Sequence, residues 1–187
     1  MHASTISLAP NRVTTHRERQ RVALLAAWNE LLTWLTTEAP GEPVHRVTAA
    51  LYKRLMALGL AAMSLWSALC LEETVPGMRI HGQASYSFQG WRWETVRTRF
   101  GCFESLEPAY VRVAGKGPQR LLPHGRRMGL AAGRMSLGVH LMVANLAARM
   151  PFKAVSEVAE VFGLWVPGRR AMLGVIDQWG PVAAAAM

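Results

Sequence analysis

Apolar residues recur at helical spacing over most of this chain and at strand spacing in one central stretch. Leu24, Trp28, Leu31 and Leu35 fall four, three and four residues apart, which places them on one side of a helix from about residue 18 to residue 36. The segment from Glu38 to Pro43 holds two prolines and a glycine, and proline cannot supply the amide hydrogen that a helix interior needs. Beyond it Leu51, Leu55, Leu58, Ala62, Leu65 and Leu69 alternate by four and three. That is a heptad seam in a second helix over about 44–72, and such a seam suits one partner helix. The partner is either the first helix, folded back as a hairpin over 18–73, or the same Leu51–Leu69 seam in a second copy. The polar residues 1–17 read as a flexible arm.

After Pro76 and Gly77 the texture changes. Aromatic, β-branched and Arg residues dominate from Trp91 to Val113, as they do in strands. Trp93, Thr95, Arg97 and Arg99 share one face of the first strand, and Glu94, Val96, Thr98 and Phe100 share the other. The expected element is an antiparallel ribbon turning near Ser105 to Pro108. Residues 115–120 and 123–127 read as loops, so the ribbon and its loops occupy 78–127.

Helical spacing returns from about Leu130. Val139, Met142, Val143 and Leu146 mark one helix. Pro151 suits the first turn of the next, Phe152–Phe162, whose apolar face is Val155, Val158, Ala159 and Phe162. Gly163 ends that helix, residues 164–168 make a turn, and a last helix follows from Arg169 to about Trp179, with Met172, Val175, Ile176 and Trp179 inward. Residues 181–187 form a tail. A small residue at Ala159 and a glycine four residues later fit a helix-turn-helix over 130–180, whose second helix enters the DNA major groove N-terminus first. Arg169 and Arg170 would then reach guanine edges or phosphates, with Lys153 and Gln178 as further contacts. The fold class expected is mainly α with a small antiparallel β-ribbon: a helical hairpin plus a C-terminal helix-turn-helix.

Charge sharpens this picture. The chain of 187 residues carries a net charge of +9, with 51% hydrophobic and 18% charged residues. Residues 74–135 hold ten Arg/Lys against three Glu, a net +7, while the segments before and after hold +1 each. A concentrated basic stretch is the electrostatic footprint of a phosphate binder. Arg97, Arg99, Arg112, Arg126 and Arg127 are its candidate DNA contacts, interleaved with Trp91, Trp93, Phe100 and Tyr110.

Other chemistries find little support. Strand transfer by two metal ions needs clustered carboxylates, and Asp177 is the sole aspartate. The six histidines form no HxxxH, HExxH or Cys/His cluster, so neither a metal nor another cofactor is expected. No GxSxG elbow or GxxxxGK[ST] loop is present. Cys70 and Cys102 are too far apart for a CxxC site, and with no signal-peptide pattern a reducing cytoplasm fits. Residues 55–71 form an uncharged run of 17, the lower limit for a membrane span, so a small membrane-associated protein anchored there is one alternative.

From Arg99 onward the order of features resembles the N-terminal region of the Kra group of insertion-sequence transposases. The positions that carry the resemblance are Arg99, Phe100 and Gly101, then Tyr110, Pro123, Gly129 and Leu130, Arg134 to Ser136, Met150 to Ala154, Gly163 to Val166, and Gly180. Two positions depart from the pattern: Gly125, Arg126 and Arg127 stand where acidic residues are usual, and Pro167 and Gly168 replace a Ser-containing turn. Proteins of that group are DDE-type recombinases, and the resemblance implies an RNase H-like catalytic domain after the helix-turn-helix. The expectation is therefore a truncated or split copy: the DNA-binding portion of a transposase, with no strand-transfer activity of its own. Its partners would be double-stranded DNA and an intact transposase or catalytic-domain chain. A free-standing helix-turn-helix transcriptional regulator is the other alternative.

Overall fold

The computed structural model describes residues 5–7, 11–72, 74–130, 132–161 and 164–185. These fall into two compact units, residues 1–94 with 104–128 and residues 95–103 with 129–187. The division joins the expected hairpin and most of the expected ribbon in one unit. It assigns the ribbon's tip to the C-terminal helices.

In the first unit, helix α1 (Asn11–Thr37) and helix α2 (Val44–Leu69) fold back on each other across a short 3-10 turn at Ala39–Gly41. Leu31, Trp34 and Ala39 are buried against Val47, Ala50, Leu51 and Leu58, and the Arg54 guanidinium lies 4.2 Å over the Trp34 ring. At the other end Ser64 Oγ donates to Gln20 Oε1 at 2.8 Å. Arg17 donates to the carbonyls of Ala68 at 3.1 Å and Leu71 at 2.7 Å, filling acceptors that a helix C-terminus leaves open.

Two expectations change here. Where the arm is described, residues 5–7 form a strand and residues 11–17 are helical, because Val13 is buried with Leu71 and Leu106 and anchors the polar stretch. The heptad seam also splits. Leu51 and Leu58 turn towards α1, whereas Leu55 and Leu69 are exposed.

A short strand β1 (Thr5–Ser7) pairs antiparallel with β2 (Thr74–Pro76). The main sheet has the order β3 (Met78–His81), β4 (Ala84–Thr98), β5 (Gly101–Gly115), β6 (Arg120–Leu121). The fold is therefore mixed, since a four-stranded antiparallel sheet with two fifteen-residue strands stands where a small ribbon was expected. The turn lies at Arg99 and Phe100, not near Ser105 to Pro108. Thr98 Oγ1 fixes it, donating to the Gly101 carbonyl at 3.0 Å and accepting from the Phe100 amide at 3.2 Å. Residues 105–110 lie inside β5 and are all buried, so their pattern does not alternate.

Ala84, Tyr86, Tyr110 and Leu121 form the sheet's core with Phe88. At the end of β5 only glycine fits: Gly115 has φ +80, and a Cβ there would stand 1.9 Å from the Gln83 carbonyl oxygen. Pro123–Arg127, expected as a loop, is a single-turn helix, α3.

The second unit contains α4 (Leu137–Ala147), α5 (Phe152–Val161) and α6 (Arg169–Ala185). Met135, Val139, Val143, Val155, Met172 and Val175 form its buried core, joined by Leu146, Met150, Phe152, Trp165 and Val166. The Leu164 amide donates to the Ala159 carbonyl at 2.8 Å and closes the end of α5. Phe162, Gly163 and the Trp179 side chain, to which the sequence assigned roles, lie outside the described residues. Helix α6 runs to Ala185, so residues 181–185 of the expected tail are helical, as alanine favours.

Residues 95–103 attach to this unit through Arg97. Its carbonyl accepts from the Ser136 amide at 2.8 Å, and its Nη1 donates to the Gly133 carbonyl at 2.7 Å. Among the described residues no helix is long and apolar enough to cross a membrane.

Candidate nucleic-acid interface

The Gly168 carbonyl accepts from the amides of Ala171 and Met172 at 2.9 and 3.0 Å, so Arg169 and Arg170 occupy the first turn of α6. Both are exposed. That turn contains no acidic residue, and among the described residues neither arginine has an ion-pair or side-chain hydrogen-bond partner. Cations at a helix N-terminus oppose the helix dipole at a cost of about 0.3–1 kcal/mol each. A phosphate placed there reverses the sign, because it meets both guanidinium charge and free amides.

Lys153 stands at the start of α5 and lines the same open hollow as Arg169, with Pro151, Phe152, Ser156 and Met172. Its side chain is 89% exposed and only loosely paired with Glu157 at 3.8 Å, so the cation remains available to solvent. Gln178 is exposed further along α6. Asp177 lies seven residues after Arg170, which at about 100° per residue brings it nearly into line with Arg170 two turns on. Leu173, 43% exposed between them, belongs to the same outer face. An inward–outward reading of α6 could have found it, but the sequence reasoning did not name it.

The arginines on the strands have more structural work than their alternation suggested. The Arg97 guanidinium donates to Gly133, and Arg99 Nε donates to the Gly138 carbonyl at 3.0 Å, so both hold the segment that leads into α4. In the other unit Arg112 donates to the Gly117 carbonyl and, at 3.5 Å, to Gln119 Oε1. Arg127 pairs with Glu72 at 3.2 Å, Arg79 pairs with the same carboxylate, and Arg126 donates to His81 Nε2. The predicted residues are thus distributed over both units, with Lys153 and Arg169 brought to one hollow.

One polar cluster escaped sequence reasoning. Ser67 Oγ lies 2.7 Å from Ser105 Oγ and 3.4 Å from His124 Nε2, all buried. Glu107, also buried, accepts from the Gly125 amide at 2.8 Å. Separations of 38 and 57 residues leave no local motif to find. Both serines are 0% exposed, so no substrate reaches their hydroxyls, and the cluster ties α2 to the sheet and to α3. Among the described residues no group of three or more His, Cys, Asp or Glu is placed to hold a metal ion, and Cys70 and Cys102 are free thiols. No protein-family model matches the chain, and the searches of curated proteins and of solved structures found no match either.

Proposed function

We propose that this chain binds double-stranded DNA through its C-terminal helices, with α5 and α6 acting as a helix-turn-helix and α6 entering the major groove. The observation that carries this reading is the pair of exposed, unneutralised arginines on the first turn of α6. Lys153, which lines the same hollow as Arg169, supplies a further phosphate contact, and the net +7 of residues 74–135 draws the chain towards a polyanion. With the resemblance to Kra-group transposases, this makes the 187 residues the DNA-binding share of a transposition system. Strand transfer is assigned to carboxylates outside them.

Fluorescence-anisotropy titration with duplex DNA across a salt series tests the reading. Binding at micromolar or tighter concentration, with log affinity falling steeply and linearly against log salt, is the expected result. An absence of binding at low salt would overturn it. Preference for insertion-element ends over palindromic operators separates the transposition reading from that of a free-standing regulator.

A further inference from the structure

Helices α1 and α2 each bury one row of residues and leave the next row apolar and exposed. On α1 the inward row includes Leu24, Ala27, Leu31 and Trp34. The positions just after them are Leu25, Trp28, Leu32 and Leu35, exposed by 51%, 46%, 42% and 37%, with Val22 at 56% one turn earlier. On α2 the inward row includes Leu51, Arg54, Leu58, Leu65 and Ala68. Each is followed by Tyr52, Leu55, Gly59, Trp66 or Leu69, and the large side chains among these are 41% to 58% exposed.

An offset of one residue is a rotation of about 100° in a fixed sense along the chain. The two helices are antiparallel, since Arg54 meets Trp34 while Ser64 meets Gln20 and Arg17 meets Ala68. The same sense about opposed axes turns both exposed rows to one side of the pair. By that register Leu32 stands level with Leu55, and Val22 with Ala62.

This face has the character of a helix-packing surface. Between Val22 and Leu35 and between Tyr52 and Leu69 the two exposed rows carry no charge, and Arg21 and Glu18, which continue the α1 row, pair with each other at 2.9 Å, so a second copy would meet no unpaired like charge there. Residues 25, 28, 32 and 35 and residues 52, 55, 59, 62, 66 and 69 step by three and four, the spacing of a seam that packs against other helices. A helix lying on a lipid surface turns its polar side to water, whereas Ser67 of α2 is buried against Ser105 of the sheet. The nine large side chains offer roughly 800 Å² per copy, about what each partner buries in a stable interface.

We propose that this face is the interface between two copies of the chain, which pair through it as a four-helix bundle about a two-fold axis. The inference stands independently of DNA binding. Sedimentation equilibrium of the full chain, over roughly 1–100 µM, tests it, and dimers dissociating at micromolar concentration or below are expected. Leu25→Glu with Leu55→Glu is expected to weaken dimerisation at least about 100-fold, with helical circular dichroism retained. Should that variant unfold, the milder Leu25→Ser, expected to weaken the dimer about tenfold, takes its place. A wild-type chain that stays monomeric at all concentrations overturns the proposal, as does a folded variant that dimerises like the wild type. Flotation of a monomeric wild type with phosphatidylcholine–phosphatidylglycerol vesicles also overturns it and reassigns the face to lipid.

Discussion

The two helical regions share one apolar rhythm and put it to opposite use. In the C-terminal unit, Val139, Val143 and Val155 are fully buried, and Met172 and Val175 are 1% exposed. In the α1–α2 pair a comparable stock of Leu and Trp is divided between an inward row and an open one. The difference lies in how many neighbours each helix has. Helix α6 packs against both α4 and α5, so the three helices enclose a common core. A pair of helices has one contact line, and here the sheet covers part of what remains, through Ser67, Leu71 and Val13. The side turned away from the sheet is left without cover. Periodicity therefore specifies that a helix has an apolar side, while the number of packed neighbours decides whether that side is interior.

Substitutions in the closed core and on the open row should differ in cost. Met172→Ala is expected to destabilise the C-terminal unit by about 2–5 kcal/mol, because a closed core cannot collapse onto the cavity. Chemical denaturation measures it, and a loss below about 1 kcal/mol would mean that this core is as open as the hairpin's outer face. Ser67→Ala removes a hydroxyl between Ser105 and His124 and should cost about 1–3 kcal/mol in the first unit, read from the same unfolding curves. Leu25→Ala, on the open row, should change stability by less than about 0.5 kcal/mol at dilutions where the chain is monomeric. A cost there equal to that of Leu31→Ala on the buried row would erase the distinction between the two rows.

The smallest effect concerns pH. His16 is buried, its ring 5.1 Å edge-on from Trp93. Burial first, and then the charge of Arg19, hold its pKa below the ordinary 6.5. The unfolded chain then takes up a proton at a pH where the folded chain does not. The stability His16 contributes is complete above about pH 6.5 and declines as the pH falls from there towards its lower folded value. Melting temperatures recorded at descending pH should fall for the wild type, and the part due to His16 should vanish in His16→Leu.

Much of this was legible in the sequence, and the failures have physical causes. The four-three spacing of Leu24 to Leu35 and of Leu51 to Leu69 gave both helices and their hairpin to within a few residues at most ends. It did not say which members of each seam face inward, because spacing gives a helix its sides without identifying its neighbours. Alternation gave the strand through Val96 and Thr98, both buried, against Trp93 and Arg99, both exposed. It failed across Ser105 to Tyr110, where burial on both faces leaves no alternation and Ser, Glu and Pro resemble a turn. The arginines of the first α6 turn were visible from Gly168 and the apolar spacing that follows. The carbonyl bonds of Arg97 and Arg99 were not, since Gly133 and Gly138 lie 36 and 39 residues away.

The proposed contact between the first turn of α6 and DNA is open to direct test. The most direct measurement compares the anisotropy-derived affinity of the wild type with that of Arg169→Ala/Arg170→Ala at one fixed salt concentration, with Arg126→Ala/Arg127→Ala alongside. A loss of at least about tenfold is expected for the α6 pair, with the fold intact and a smaller loss for the α3 pair. Wild-type affinity in the Arg169→Ala/Arg170→Ala chain would contradict it.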